Sequence, residues 1–242
     1  MADGIKIGNL DISAFKVGQS DCQIYLGSTL LYPSHYKLIA QYMNSTINRV
    51  GCNSNTTLTQ SEVTGYTTSK MLMSSADIGD CTTEIGSLAF YQCKGLQNIT
   101  ISSGVTSIGS EAFYQCEGLQ NITIPDSVTN IGEGVFNQCK LTNVTIGNGS
   151  VNIGRLAFGN NTRLKNVTIG SGCTSIDRTA FYGCTDIVSF TIKATTPPTI
   201  GSTGLDQAVI SHIYVPRSAV NTYKTTTGWS NHASIISAIP GS

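Results

Sequence analysis

Between residues 85 and 192 the chain alternates two short patterns of apolar and polar positions. The first opens on an isoleucine and closes on a phenylalanine: Ile85-Gly86-Ser87-Leu88-Ala89-Phe90, then Ile108 to Phe113, Ile131 to Phe136, Ile153 to Phe158 and Ile176 to Phe181. The phenylalanines at 90, 113, 136, 158 and 181 are spaced 23, 23, 22 and 23 residues apart. The second pattern follows each of them: LQNITI at 96–101 and again at 119–124, LTNVTI at 141–146, LKNVTI at 164–169 and IVSFTI at 187–192. A fixed period of this length marks a stack of supersecondary units rather than a single globular core.

Each unit can be read from its own residues. The alternation Ile99-Thr100-Ile101 has period two, so the second pattern predicts a short strand with one buried face. The Ile-Gly-x-x-Ala-Phe half is too short for an independent helix. It predicts a tight turn or a single helical turn whose Ile and Phe reach inward. One unit cannot cover its own apolar face, so neighbours must stack into a continuous core. About five inward side chains per unit, at roughly 1.5–3 kcal/mol each on full burial, are largely offset by the entropy of ordering the chain.

A stack needs atypical ends. At the C-terminal end, Pro197-Pro198-Thr199-Ile200-Gly201 reads as a degenerate sixth turn and His212 to Pro216 as a last strand. Ser218 to Lys224 reads as a short helix, with Trp229 and Ile235/Ile236 packing over the end. Towards the N-terminus, Leu38, Ile39, Tyr42 and Met43 give residues 35–49 the look of an amphipathic helix. Thr59-Gln60-Ser61-Glu62 matches a capping box and predicts a second short helix. Ala14 to Gly18 and Gln23 to Gly27 read as short strands. The expected organisation is an N-terminal region of strands and helical cap at 1–80, five repeats at 81–192, and a degenerate repeat with C-terminal cap at 193–242.

Composition narrows the function. Charged residues are 12% of the 242, with fourteen basic and fourteen acidic, for a formal net charge of zero. Such a chain has no electrostatic footprint for nucleic acid or an anionic membrane. No run approaches the ~18 apolar residues of a membrane helix. The first residues lack the basic start and apolar run of a secretory signal.

Candidate chemistry is thin. Cys93, Cys116, Cys139 and Cys184 each lie three residues after the unit's Phe, so stacking aligns them. A metal site or disulfide is one reading. The favoured one is a column of buried thiols acting as small hydrophobes. Cys22, Cys52, Cys81 and Cys173 show no CxxC spacing, and no zinc motif occurs. His35, His212 and His232 are scattered through the expected caps, outside any catalytic motif. Glu84, Glu111, Glu117 and Glu133 fall on turns, where solvated faces are expected. The Asn-x-Thr triplets at 98, 121 and 143 recur because the strand motif recurs. No enzyme, cofactor or metal is expected.

What remains is the outward face of the strands. The alternation that buries Ile99 exposes Asn98 and Thr100, and by the same logic Asn121 and Thr123, Asn143 and Thr145, Asn166 and Thr168, and Ser189 and Thr191. This uncharged, hydrogen-bonding stripe is either a plain solvated sheet face, with Thr chosen for strand propensity, or a recognition surface for a protein or glycan ligand.

The unit Val105-Thr106-Ser107-Ile108-Gly109, Ala112-Phe113, Cys116, Leu119, Ile122, Ile124, Pro125 resembles the BspA-like bacterial leucine-rich repeats, over roughly residues 81–239. Two departures stand out: Asn161 replaces the cysteine in the fourth unit, and the third lacks one residue between Cys139 and Leu141. The resemblance implies an α/β leucine-rich-repeat solenoid, a right-handed stack capped at both ends. It also implies adhesion to host proteins or other bacteria from the cell surface or extracellular space. The segment Ile24 to Pro33 is similar to short N-terminal modules on phage and prophage proteins of Bacteroides-like gut bacteria. That second resemblance, with the missing signal, implies a structural or receptor-binding virion component as the alternative.

Overall fold

The computed structural model describes residues 5–7, 10–12, 25–26, 29–30, 36–42, 47–51, 56–64, 73–201, 205 and 207–241, with backbone alone up to residue 51 and at residue 64. Before the repeats come β1 (Ile5–Ile7), β2 (Leu10–Ile12), β3 (Tyr25–Leu26), β4 (Thr29–Leu30), β5 (Tyr36–Tyr42), β6 (Ile47–Gly51), β7 (Thr57–Leu58), helix α1 (Gln60–Thr64) and β8 (Met73–Ile78). Short and long strands then alternate. They are β9 (Glu84–Ile85), β10 (Asn98–Ile101), β11 (Ser107–Ile108), β12 (Asn121–Ile124), β13 (Asn130–Ile131), β14 (Asn143–Ile146), β15 (Asn152–Ile153), β16 (Asn166–Ile169), β17 (Ser175–Ile176), β18 (Ile187–Ile192) and β19 (Thr199–Ile200). The chain ends with β20 (Ile210–Val215), α2 (Val220–Thr225) and β21 (Ile236–Ala238).

The short strands form one parallel sheet in the order β19-β17-β15-β13-β11-β9-β7, and the long strands β12-β14-β16-β18-β20-β21 form a second. Both are in repeat register, Ile108 facing Ile85 and Ile131, and Ile122 facing Val144. Register cannot slip, because a one-residue shift would turn the buried isoleucines to solvent. The first long strand, β10, pairs instead with β8, which pairs antiparallel with β5 of the β5–β6 hairpin.

The Ile-Gly-x-x-Ala-Phe segments form turns, not helix. Alternate amides leave the unit: Leu88, Phe90 and Gln92 donate to the carbonyls of Ser110, Ala112 and Tyr114 in the next one, at 3.0, 2.6 and 2.8 Å. The amides between them, Ala89, Tyr91 and Cys93, close back on Gly86, Leu88 and Phe90. This alternation places Leu88 and Gln92 in left-handed backbone, φ 61° and 60°. Phe90, Phe113, Phe136, Phe158 and Phe181 consequently stack face to face down the interior, with centroids 4.8–5.4 Å apart. Phe190 closes the column edge-on against Phe181, at 5.1 Å and 83°. It stands on β18 where earlier long strands carry Ile or Val. Aromatic pairs of this kind contribute about 0.5–1.5 kcal/mol beyond their buried area.

Both ends are covered. The capping box at α1 forms as expected: the Glu62 carboxylate accepts from the Thr59 amide at 2.8 Å and the Thr59 hydroxyl at 2.9 Å, while the Glu62 amide points back at Thr59 Oγ1 at 3.4 Å. Val63 of α1 is fully buried. β7 and β8 already stack in register on β9 and β10, so a coil precedes the first repeat. The helix expected at 35–49 is not formed. Residues 36–42 and 47–51 are the strands β5 and β6. Tyr36, Leu38, Ala40 and Tyr42 also fit period two, and the free edge of β8 supplies ladder partners that an isolated amphipathic helix would not have. Met43 and the expected strand at 14–18 lie outside the described residues. Of the segment 24–33, only the antiparallel pair Tyr25–Leu26 and Thr29–Leu30 is described.

At the other end, β19 is the degenerate sixth turn. The His212 strand is the next to last, because β21 adds beyond it. Trp229 is fully buried and donates its indole N–H to the Pro198 carbonyl at 2.8 Å. Tyr223 of α2, also buried, donates to the Ala194 carbonyl at 3.0 Å and meets Trp229 edge-on.

Candidate binding face

The long strands set up two columns of outward side chains. Register pairs Asn121 with Asn143, Asn166 and Ser189, and Thr123 with Thr145, Thr168 and Thr191. Asn98, Thr100, Asn121, Thr123, Asn143, Thr145 and Asn166 are exposed, while Thr168 and Thr191 are half-buried. Their neighbours Ile122, Val144, Val167 and Phe190 are 0–3% exposed, so the period-two reading holds on β12 to β18, whereas Ile99 on β10 is only half-buried. Asn98 and Thr100 share the face but sit on β10, which pairs with β8 rather than β12.

The two columns differ chemically. The asparagines bond to one another: Asn143 donates its amide to Asn121 Oδ1 at 2.7 Å, and Asn166 donates to Asn143 Oδ1 at 2.8 Å. Among the described residues, the hydroxyls of Thr100, Thr123, Thr145 and Thr168 engage no protein partner. The amide column is therefore a fixed scaffold, and the threonine column beside it has unused hydrogen-bonding capacity.

The face continues beyond the threonines. His212 and Tyr214 of β20 pair with Ser189 and Thr191, so they extend the same two columns. Their rings stack at 5.9 Å and 9°, with His212 exposed and Tyr214 half-buried. The stripe thus carries an aromatic pair near its C-terminal end. The sequence pattern missed it, because β20 keeps the register of the repeats while sharing none of their motif. The alternation in Ser211-His212-Ile213-Tyr214-Val215 is the signal that could have found it.

The cysteine column lies inside. Cys93, Cys116, Cys139 and Cys184 are buried, and the last three donate their thiols to Phe90, Phe113 and Phe158 carbonyls at 3.2 Å. Burial pushes the Cys139 and Cys184 thiols up to about 12 and raises Cys116 well above its ordinary value. A thiol held neutral is neither nucleophile nor metal ligand, and among the described residues no His/Cys/Asp/Glu group could hold a metal. Cys81, on the turn before the first repeat, is disulfide-bonded, which its sequence context did not announce. On the turns, Glu117 bridges Lys94 at 2.8 Å and Lys140 at 2.9 Å. The two ammonium groups lower its carboxyl to about 2. No described helix is long and apolar enough to cross a membrane.

This architecture is that of a leucine-rich-repeat solenoid with little helix. Residues 83–216 match the BspA type leucine rich repeat region in six copies, and the chain belongs to that family. Among solved structures it is similar to a leucine rich cell surface protein from Faecalibacterium prausnitzii, at 20% identity and TM-score 0.43, covering 78% of this chain and 72% of the other. It is also similar to a leucine-rich repeat protein from Bacteroides ovatus, at 22% identity and TM-score 0.36, covering 60% and 55%. Among curated protein sequences, none is significantly similar to the chain.

Proposed function

We propose that this chain is a non-catalytic binding module that recognises a protein or glycan on a host or bacterial surface through its long-strand face. One observation carries the reading: an uncharged column of exposed threonines, with hydroxyls unspent on the protein, runs in register from copy to copy beside a self-bonded amide column. An extended stripe of this kind presents the same contact repeatedly, which suits a repeating or elongated ligand. Its lack of charge disfavours nucleic acid. The disulfide at Cys81 favours an oxidising compartment, hence the cell surface or the extracellular space.

The test is a binding screen of the purified chain against extracellular-matrix proteins, bacterial cells and surface polysaccharides. It is run beside a variant with Thr100, Thr123, Thr145 and Thr168 changed to Lys. Binding that the variant loses, with an unchanged circular-dichroism melt, is the expected result. Binding that survives the four lysines, or binding to none of the three ligand classes, would overturn the reading.

A further inference from the structure

The fifth copy departs from the others on the short-strand side. Where the first four carry glycine after the isoleucine, the turns stack so closely that an added Cβ would meet backbone. At Gly109 it would lie 2.5 Å from the Ser87 nitrogen, and at Gly154 2.7 Å from the Ile131 carbonyl oxygen. The fifth copy has Asp177 at this position, still donating its amide to Ile153 at 2.9 Å. A carboxylate therefore enters where the repeat otherwise admits no side chain. It does so at an open groove of about 500 Å³ lined by Asn152, Asp177, Arg178 and the half-buried Ile200. The volume falls within the ~300–1,000 Å³ usual for small-molecule sites.

Three polar groups in this groove have binding capacity left over, and two of them are held in place by hydrogen bonds. Asp177 Oδ1 accepts from the Thr179 amide at 2.9 Å and the Thr179 hydroxyl at 2.7 Å. Oδ2 has no protein partner among the described residues. That local turn also relieves Thr179 of the left-handed backbone seen at the equivalent Leu88, Glu111, Gly134 and Leu156. Asn152 Oδ1 accepts from the hydroxyls of Thr174 and Ser175 at 2.7 and 2.8 Å, which fixes the amide and leaves its Nδ2 donor unengaged. The stem of Arg178 runs past Gly201, where an added Cβ would come within 2.6 Å of Arg178 Cβ. Arg155, one copy earlier, is paired with Glu133 at 3.2 Å. Arg178 has no partner among the described residues.

We propose that this groove is a second binding site, distinct from the long-strand face, for a neutral saccharide with adjacent hydroxyls. A sugar hydroxyl both donates and accepts. Asp177 Oδ2 supplies the acceptor, and Asn152 Nδ2 and Arg178 supply donors. The planar carboxylate and guanidinium suit paired oxygens, and the half-buried Ile200 offers an apolar contact to the C–H face of the ring. One acid and one base leave the groove without net charge, so an anionic sugar meets Asp177 and a cationic one meets Arg178. Ordering has already been met for two of the three groups by Thr179, Thr174 and Ser175, which lowers the cost of binding.

The test uses the full chain on an array of neutral gluco-, manno- and galacto-oligosaccharides and acidic polygalacturonate fragments, with titration calorimetry on the strongest neutral binder. Asp177→Asn and Asn152→Asp keep shape and the inward hydrogen bonds while exchanging the outward acceptor or donor. Each is expected to weaken neutral-saccharide binding by about tenfold or more without moving the melt. The four-lysine variant of the long-strand face is expected to bind the saccharide as the native chain does. In the native chain, saccharide should shift the backbone amide resonances of Asn152 and Asp177, a readout that needs no substitution. No neutral binder, binding of acidic fragments only, native affinity in both groove variants, or loss in the four-lysine variant alone would each overturn the proposal.

Discussion

Two junctions in the stack solve the same problem differently. Where copies two and three meet, the Cys139 thiol donates to the Phe113 carbonyl, and the Leu119 amide turns back on Cys116 at 3.0 Å within its own copy. Copy three is one residue shorter after its cysteine, so Leu141 cannot close the same turn. Copy four supplies the remedy. Asn161, fully buried, donates to the Phe136 and Phe158 carbonyls at 2.8 Å each, and its Oδ1 accepts from the Leu141 amide at 3.1 Å. A thiol has one weak donor, whereas an amide has two donors and an acceptor. The two departures from the repeat are therefore one event. The shorter turn orphans an amide, and the asparagine satisfies it.

Substitutions can break this comparison at different depths. The largest loss is expected where the two junctions are alike: Phe136→Ala removes a ring stacked on both sides and should cost about 3–5 kcal/mol, read by denaturant unfolding. Asn161→Ala should cost about 1–3 kcal/mol, since it strands buried carbonyls and the Leu141 amide together. Asn161→Cys sharpens the point. It restores the column but not the acceptor, so it should destabilise unless one residue is also inserted after Lys140. Rescue of Asn161→Cys by an insertion that harms the native chain would establish the coupling in a double-mutant cycle. Additive effects would refute it. On the surface, Thr145→Lys should move stability by less than about 0.5 kcal/mol.

The smallest effect concerns Glu117. Its carboxyl is lowered to about 2 by hydrogen bonds to, and the charge of, Lys94 and Lys140, against about 4.3 in the unfolded chain. A depressed carboxyl contributes stability above the unfolded value and loses it as pH falls towards the folded one. Unfolding midpoints of the native chain should therefore fall slightly more between pH 5 and pH 2 than those of Glu117→Gln. Because the three charges lie at the surface, the difference should be small and shrink in salt.

How much of this was legible beforehand follows from what repeats and what does not. The strands, the Phe column, the inward cysteines and the outward Asn and Thr positions were all readable, because each rests on a periodicity that stacking enforces. The capping box at Thr59–Glu62 was readable because it is local. The strand at 36–42 was misread as helix because pairing with β8, over thirty residues away, decides it, and 47–51 follows as its antiparallel partner. His212 and Tyr214 were assigned to a cap because register, not motif, brings them onto the face. Both departures at Asn161 and after Cys139 were visible, but their relation required the hydrogen bond from Leu141 to Asn161.

The central claim, recognition along the long-strand face, is tested most directly by site-specific photo-crosslinking. A benzophenone-bearing residue replaces Thr123, Thr145 or Thr168 in turn, with Ser110 on the Phe turn as the control, and each chain is irradiated on bacterial cells and on matrix protein. The account predicts adducts from all three threonine positions and none from Ser110. Adducts from Ser110 alone, or from no position on a chain that still binds, would contradict it.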